Sequence, residues 1–173
     1  ELHSKPDVEI LFEGAQGFGL DIDHGDYPFV TSSHCTTASA LLNGVPPQAI
    51  RNVWGVAKIY ETYVGAKDFQ PEDPIFGTIQ TLGEEFGATT GRKRQCNWMD
   101  LKALMKAVKI NGVTDLVFNK MDVLEEVGEW KIYNGDHLMK FNDQQHVKSW
   151  LTSYVNFSPG DINVYFSGNK DRI

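Results

Sequence analysis

The sequence predicts a layered α/β domain, a mostly parallel sheet with flanking helices. Three observations carry this expectation. Short apolar runs of strand type recur at Val8–Gly14 (VEILFEG), within Asp115–Asp122 (DLVFNKMD) and at Ile162–Phe166 (INVYF). Segments with helical spacing lie between them, and alternation of strand and helix is the pattern of α/β layers. The 173 residues, 41% apolar and 23% charged, suit one domain over 1–173 with a real core.

Taken in order, Val8, Ile10 and Phe12 alternate and Gly14 stops the run, which predicts a buried strand. The turn EGAQG follows. The next segment, GFGLDIDHGDYPFVTSS, is rich in Gly, Asp and Ser and predicts a long functional loop. Its apolar residues Leu20, Ile22, Tyr27, Phe29 and Val30 predict that it is ordered. Thr36–Leu42 predicts a short helix. Gln48–Val64 stays open: Pro46-Pro47 suits a helix start near Gln48, whereas VWGVAKIYETYV is β-rich. Lys67–Thr78, with Pro71 and Pro74, predicts a loop. Asn97 is expected to cap a helix over Trp98–Asn111, with Leu101, Leu104, Met105 and Val108 at helical spacing and Gly112 as the stop. Asp115–Asp122 predicts a strand running into a polar turn. Residues 123–141 predict a small β element around WKIY, with a hairpin turn at Asn134-Gly135. Asp143 is expected to cap a helix over Gln144–Tyr154. Pro159-Gly160 reads as a turn before the last strand.

Composition excludes several classes of function. The net charge of -7 argues against a nucleic-acid surface, because phosphate contacts need a basic face. No apolar run approaches 18 residues, so no membrane span is expected. No charged-then-apolar leader opens the chain, which points to a cytoplasmic protein. Cys35 and Cys96 have no metal-ligand spacing; reduced thiols are expected, with a disulfide left open.

Against this acidic background, Phe86–Arg94 (FGATTGRKR) concentrates three cations, Arg92, Lys93 and Arg94, with the hydroxyls of Thr89 and Thr90. Gly87 and Gly91 permit turns that bring backbone N–H groups toward a ligand. Arginine forks pair bidentately with carboxylate or phosphate, so the loop reads as closing on a small anion. The competing reading is a solvated basic loop that pairs with the protein's own acids.

Asn119-Lys120-Met121-Asp122 follows an apolar strand. Guanine offers adjacent N1–H and N2–H donors that one carboxylate can accept together, and a lysine stem can lie over the ring. The motif therefore suits a guanine reader, or else a plain strand-end turn. Ser167-Gly168-Asn169 follows the last strand and allows close backbone approach to a base, unless it is only a turn. Gln16 sits after the first run, where open α/β sheets bind ligands. Asp21, Asp23, His24 and Asp26 match no calcium loop, since its glycine and closing glutamate are missing, and a hydrogen-bonded structural loop is the better reading. Thr31, Ser32 and Ser33 can cradle a phosphate or cap a helix. No G-x-x-x-x-G-K-[ST] loop is present.

In order and at these separations, FEGAQG, DIDHGDYPFVTSS, VGA, FGATTGRKR with Trp98, and NKMD resemble the adenylosuccinate synthetases, with a weaker echo in SGNKDR. The resemblance runs from Ile10 to about Val123. It implies a P-loop-NTPase-like fold, present in part, and a magnesium-dependent, GTP-consuming homodimer that joins L-aspartate to IMP. The γ-phosphoryl group goes to the 6-oxygen of IMP, and the aspartate amine then displaces it. By the same resemblance, Gln16 contacts the ring near the 6-oxygen, Thr31 meets the IMP phosphate and Val64 lies beside the nucleotide. Ala88, Thr89, Thr90, Gly91, Arg92, Lys93 and Arg94 form the loop over aspartate, with Arg92 also reaching IMP and Arg94 the GTP phosphates. Lys120, Met121 and Asp122 hold guanine, with Ser167, Gly168 and Asn169 on its far side.

The family's phosphate loop, its catalytic aspartate and histidine, and most Mg2+ contacts belong to a half that this sequence lacks. The resemblance thus implies a C-terminal portion, inactive alone, with no metal ligand of its own. Tyr63 replaces a usual arginine, Lys67-Asp68 a Gly-Pro pair, His34-Cys35 departs from an asparagine before the two threonines, and Lys170 replaces a proline. These departures leave open a branch that acts on a guanylate; the rival reading from another class is a non-catalytic purine-nucleotide-binding module.

Overall fold

The computed structural model describes residues 5, 7–87, 91–157 and 160–168. Its elements run α1 (Ala38–Leu42), β1 (Trp54–Lys58), β2 (Tyr60–Tyr63), α2 (Ile75–Leu82), β3 (Gln95–Asp100), α3 (Leu101–Asn111), β4 (Asp115–Asn119), α4 (Met121–Val127), β5 (Trp130–Asn134), β6 (His137–Phe141), α5 (Gln144–Asn156) and β7 (Asn163–Phe166). Among the described residues the strands form two sheets, ordered β1-β4-β7 and β2-β3-β5-β6. The first is wholly parallel, with Trp54, Asp115 and Asn163 in register across it. In the second, β3 and β5 are parallel and the outer pairs are antiparallel. The expected α/β layering with a mostly parallel sheet is present.

Ile59 alone separates β1 from β2. It is buried, and its N–H donates to the Asn119 carbonyl at 3.0 Å, so the chain leaves one sheet and enters the next without a loop. The core gathers Leu116 and Phe118 of β4, Phe76 and Ile79 of α2, Leu101, Met105 and Val108 of α3, Leu124 of α4, and Val147, Leu151 and Val155 of α5. The last three recur every fourth residue, which turns one stripe of α5 inward.

Several elements differ from the sequence expectation. Val8–Gly14 is not a buried strand: it pairs with no strand among the described residues, and Leu11 is 88% exposed. Alternation supplies a strand's side-chain pattern but not the partner that its backbone needs. The helix expected over Trp98–Asn111 starts at Leu101, because Gln95–Asp100 is β3, paired on both sides. Asp100, rather than Asn97, caps it, accepting N–H bonds from Lys102 (2.8 Å) and Ala103 (3.2 Å). Asn97 instead donates to the Phe69 carbonyl.

The expected loop Lys67–Thr78 ends in α2, where Pro74 sits at the helix start, a position that tolerates a missing N–H. The turn after β4 becomes α4, launched by Lys120 in a left-handed conformation (φ 63°). Gln48–Val64 holds both of its readings in part, a short 3-10 turn at Pro47–Ala49 and then β1 and β2. The hairpin turn lies at Gly135-Asp136, since Asn134 still pairs with His137. α5 runs two residues past its expected end, capped by Asp143 as expected, and α3 stops at Gly112 with φ 62°. Pro159 lies outside the described residues.

Candidate functional site

Three groups of sequence-selected residues are assembled by different local rules. In the first, Gln16 adopts a left-handed φ of 62°, which turns its amide back over the loop that follows. Its Nε2 donates to Thr31 Oγ1 at 3.3 Å, and its Oε1 accepts from Ser33 Oγ at 3.0 Å and from Cys35 Sγ at 3.4 Å. Asp21 holds this loop from inside. It is fully buried, and its carboxylate accepts backbone N–H bonds from Asp23 (3.0 Å), His24 (2.9 Å) and Cys35 (2.6 Å). Burial alone would raise its carboxyl pKa, but the three N–H donors outweigh that and hold it below the ordinary value.

The second group is the basic loop. Phe86 and Lys93 form an antiparallel bridge, Gly87 N–H donates to the Arg92 carbonyl at 2.8 Å, and Gly91 takes φ 62°. The loop is therefore closed at its base, with Gly91, Arg92 and Lys93 exposed. Arg94 Nη1 donates to Glu85 Oε2 at 3.0 Å. Glu85, 1% exposed, also accepts from Lys58 Nζ at 2.7 and 2.8 Å and from the Tyr60 hydroxyl at 2.7 Å. Burial would push the Glu85 carboxyl up, yet the bonds from Lys58 and Tyr60, the Lys58 charge and Arg94 bring it below the ordinary value. Burial pushes the Lys58 ammonium down, against the opposing pull of Glu85, and raises the Tyr60 hydroxyl together with its Glu85 bond.

In the third group, the end of β4 meets the end of β7. Met121 N–H donates to the Ser167 carbonyl at 3.2 Å, and Ser167 N–H donates to the Phe118 carbonyl at 2.8 Å. A Cβ added to Gly168 would stand 3.2 Å from Asp122 Cβ, so the backbone there passes close beside Asp122. Asp122 is exposed in the first turn of α4. Met121 is 2% exposed, so its side chain belongs to the core. Lys120 Nζ donates to the Gly83 carbonyl at 2.9 Å, which ties this group to the turn that carries Glu85.

The family model for adenylosuccinate synthetase matches residues 2–157. The chain belongs to the adenylosuccinate synthetase family. The adenylosuccinate synthetase of Oleidesulfovibrio alaskensis is 42% identical over 162 residues, which is 89% of this chain and 38% of that protein. That of Bordetella pertussis is 50% identical over 119 residues, 67% of this chain and 27% of the relative. The chain thus spans well under half the length of the curated relatives it matches. Fully ligated adenylosuccinate synthetase from Plasmodium falciparum superposes with a TM-score of 0.66 at 30% identity, over 79% of this chain and 35% of that one. Succinoaminodeoxyadenylate synthetase of cyanophage S-2L, solved with dGMP and dATP, shares the fold at a TM-score of 0.51 and 19% identity, over 82% of this chain and 49% of its own.

Within this adenylosuccinate synthetase fold, the structure joins Gln16 with Thr31, Met121 with Ser167, and Asp122 with Gly168. It links Arg94 and Lys120 through the Gly83–Glu85 turn. Val64 stands exposed just past β2. Ala88, Thr89, Thr90 and Asn169 lie outside the described residues. Glu85, Lys58 and Tyr60 were not singled out by sequence. The acidic pair Glu84-Glu85 immediately before the basic loop was the signal available, and Arg94 does pair with one of the protein's own acids.

Among the sequence departures, Lys67 forms an ion pair with Asp26, and Tyr63 packs its ring on Phe69 at 5.8 Å. Asp21, Asp23 and His34 are the one group among the described residues whose donor atoms lie within 4.8 Å of one another. The Asp21 carboxylate is already committed to three N–H donors, and the set lacks the oxygen cage that Mg2+ demands. The residues present do not fit that ion. No helix among the described residues is long and apolar enough to cross a membrane.

Proposed function

We propose that this chain supplies the aspartate loop, the guanine pocket and part of the IMP site of a ligase of purine nucleotide biosynthesis. The complete enzyme joins L-aspartate to IMP, consuming GTP and releasing adenylosuccinate, GDP and phosphate. It works as a cytoplasmic homodimer that uses Mg2+ held outside this chain. The chain is the C-terminal portion of that enzyme, and it neither turns over alone nor binds nucleic acid or membrane.

The observation that carries this reading is the shared anchorage of Arg94 and Lys120. The cation of the anion loop and the cation of the guanine motif both end on the Gly83–Glu85 turn. A triphosphate whose base lies at Asp122 would direct its phosphates toward that cationic group. Lys58 and Arg94 flank the Glu85 carboxylate and Lys120 is bonded to the Gly83 carbonyl of the same turn, and this surplus of positive charge suits phosphate and carboxylate groups.

Each residue then has a role. Asp122 accepts the guanine N1–H and N2–H, and the Lys120 stem covers the ring. Gly168 lets the backbone approach the base, and the backbones of Met121 and Ser167 hold the pocket shut behind it. Gln16 hydrogen-bonds at the 6-oxygen of IMP, with its amide fixed by Thr31, Ser33 and Cys35. Thr31 meets the IMP phosphate, and Val64 lies against the nucleotide. Arg92 binds the aspartate carboxylate and reaches IMP. Arg94 lies between aspartate and the GTP phosphates, and neutralises charge as the phosphoryl group moves to the 6-oxygen and leaves again when the amine attacks. The groups that move protons lie outside this chain.

Isothermal titration of the chain with GTP, ATP, IMP and L-aspartate tests the assignment. GTP is expected to bind more tightly than ATP, and Asp122→Asn is expected to erase most of that preference. Equal affinity for the two triphosphates, or a preference untouched by Asp122→Asn, would show that guanine is read elsewhere. A coupled assay with all substrates and Mg2+ is expected to show no turnover by the chain alone.

A further inference from the structure

Two ligand-bearing loops end on one turn. α2 closes at Gly83, Glu84 takes a left-handed φ of 51°, and Glu85 N–H donates back to the Gln80 carbonyl at 2.9 Å. A Cβ at Gly83 would stand 2.3 Å from the Tyr60 hydroxyl, so the turn is seated tightly on β2. From it the Gly83 carbonyl accepts Lys120 Nζ, and the Glu85 carboxylate accepts Lys58, Tyr60 and Arg94. The main chain joins in, with Arg94 N–H donating to the Glu85 carbonyl at 2.9 Å.

We propose that Glu85 is a positioning residue that couples the two ligand loops: it fixes Arg94 at the anion loop and, through the Gly83–Glu85 turn, fixes Lys120 at the guanine motif, so that filling one site favours filling the other. The inference rests on the functional reading above and adds a residue and a linkage to it.

A buried carboxylate that served only as a core pin would be satisfied by Lys58 and Tyr60, which come from the adjoining strands. Arg94 is an additional donor, and its side chain remains 36% exposed beside the closed base of the basic loop. The charges also act on one another. Beyond burial and the opposing pull of Glu85, Arg94 and Lys120 each push the Lys58 ammonium further down. Glu85 offsets one of these three positive charges. An anion arriving at either loop offsets another, and the relief of repulsion is felt at both. Loss of the Glu85 charge leaves Arg94 and Lys58 facing each other across a neutral amide, with one oxygen in place of two and no charge to hold the guanidinium.

The test uses the full chain. The dissociation constant for GTP is measured by titration calorimetry with and without saturating L-aspartate. In parallel, ligand-free 15N NMR follows the Arg94 Nε–H and the amides of Lys120–Asp122. In the wild type, L-aspartate is expected to tighten GTP by about tenfold, the ordinary size of a coupling between sites. Glu85→Gln is expected to reduce that factor to about one and to shift both the Arg94 and Lys120–Asp122 signals. Glu85→Asp, which keeps the charge, is expected to restore part of the coupling. Buried Cys96→Ala is the control that leaves it unchanged.

Coupling that survives Glu85→Gln overturns the proposal, as do shifts that stop at Lys58 and Tyr60. If the wild-type chain binds neither ligand, the functional reading fails, and the ligand-free spectra still decide the link between the loops. If Glu85→Gln does not fold, Lys120→Ala probes the same link from the other side. A shifted Arg94 signal then supports the coupling, and an unmoved one refutes it.

Discussion

Replacing Asp21 with alanine removes one carboxylate that accepts three backbone N–H bonds, from Asp23, His24 and Cys35, at a fully buried position. Hydrogen bonds to a charged acceptor contribute about 1.5–3 kcal/mol each, so the three sum to at least about 4.5 kcal/mol before relaxation. Asp23 and His24 lie at the surface, where water can replace the lost acceptor, whereas the Cys35 N–H is half-buried. A net loss of about 2 kcal/mol is therefore expected, which is roughly 4–8 °C in Tm for a chain of this size. Urea unfolding followed by tryptophan fluorescence measures the total. Amide exchange at Asp23, His24 and Cys35 shows whether the loss is local to the loop.

The pH dependence has a definite sign. The folded pKa of Asp21 lies below its ordinary 3.8. The stabilisation is therefore complete above that value and is lost as the pH falls through the lower folded pKa. Wild-type stability is expected to drop more steeply below about pH 4 than that of Asp21→Ala. Unchanged protection of the three amides in the variant, or parallel acid profiles, would refute the assignment of Asp21 as the pin of this loop.

Other expectations concern ligands and thiols. Gly168→Ala places a methyl group 3.2 Å from Asp122 Cβ and displaces that side chain. GTP affinity should fall by about tenfold while the urea midpoint moves little, and an unchanged GTP titration would separate Gly168 from the pocket. Arg92→Ala should weaken L-aspartate binding by about tenfold and leave the preference for GTP over ATP intact, since a charge-assisted pair to the carboxylate is lost. Unaltered aspartate affinity sinks that role. Cys96 is fully buried, and burial pushes its thiol up to about 12, whereas Cys35 is partly accessible beside Gln16. A thiol reagent at pH 8 should therefore label one cysteine quickly and the other only on unfolding. IMP should slow the fast reaction, and two equally fast thiols would contradict the burial of Cys96.

What the sequence displayed was local chemistry. The basic loop was visible because its charge stands out on an acidic background, NKMD because it follows an apolar strand, and α5 because Asp143 precedes three core residues at i, i+4 and i+8. What it concealed was pairing between distant segments. Trp98–Asp100, the second half of β3, leads into a helical pattern and reads as its first turn, because nothing in those residues announces that β2 and β5 will flank them. α2 was hidden by two prolines that read as loop until Pro74 proved to be a helix start. Glu85 was invisible as a site because its three side-chain donors lie 27, 25 and 9 residues away. Charge, spacing and turn chemistry can be read from a line of letters; a carboxylate shared by β1, β2 and the end of the basic loop can be recognised only once these segments are assembled.

The single residue between the two sheets sets a parity rule. With only Ile59 between Lys58 and Tyr60, the pleat of β2 is phase-locked to that of β1. Adding or deleting one residue there would invert which side chains of β2 face the interior, exchanging buried Tyr60 for Glu61. The phenol that seats Glu85 would then point the wrong way. The length of this junction acts as a gear tooth: it carries no chemistry of its own, yet a slip of one position would disengage the carboxylate that holds Lys58 and Arg94.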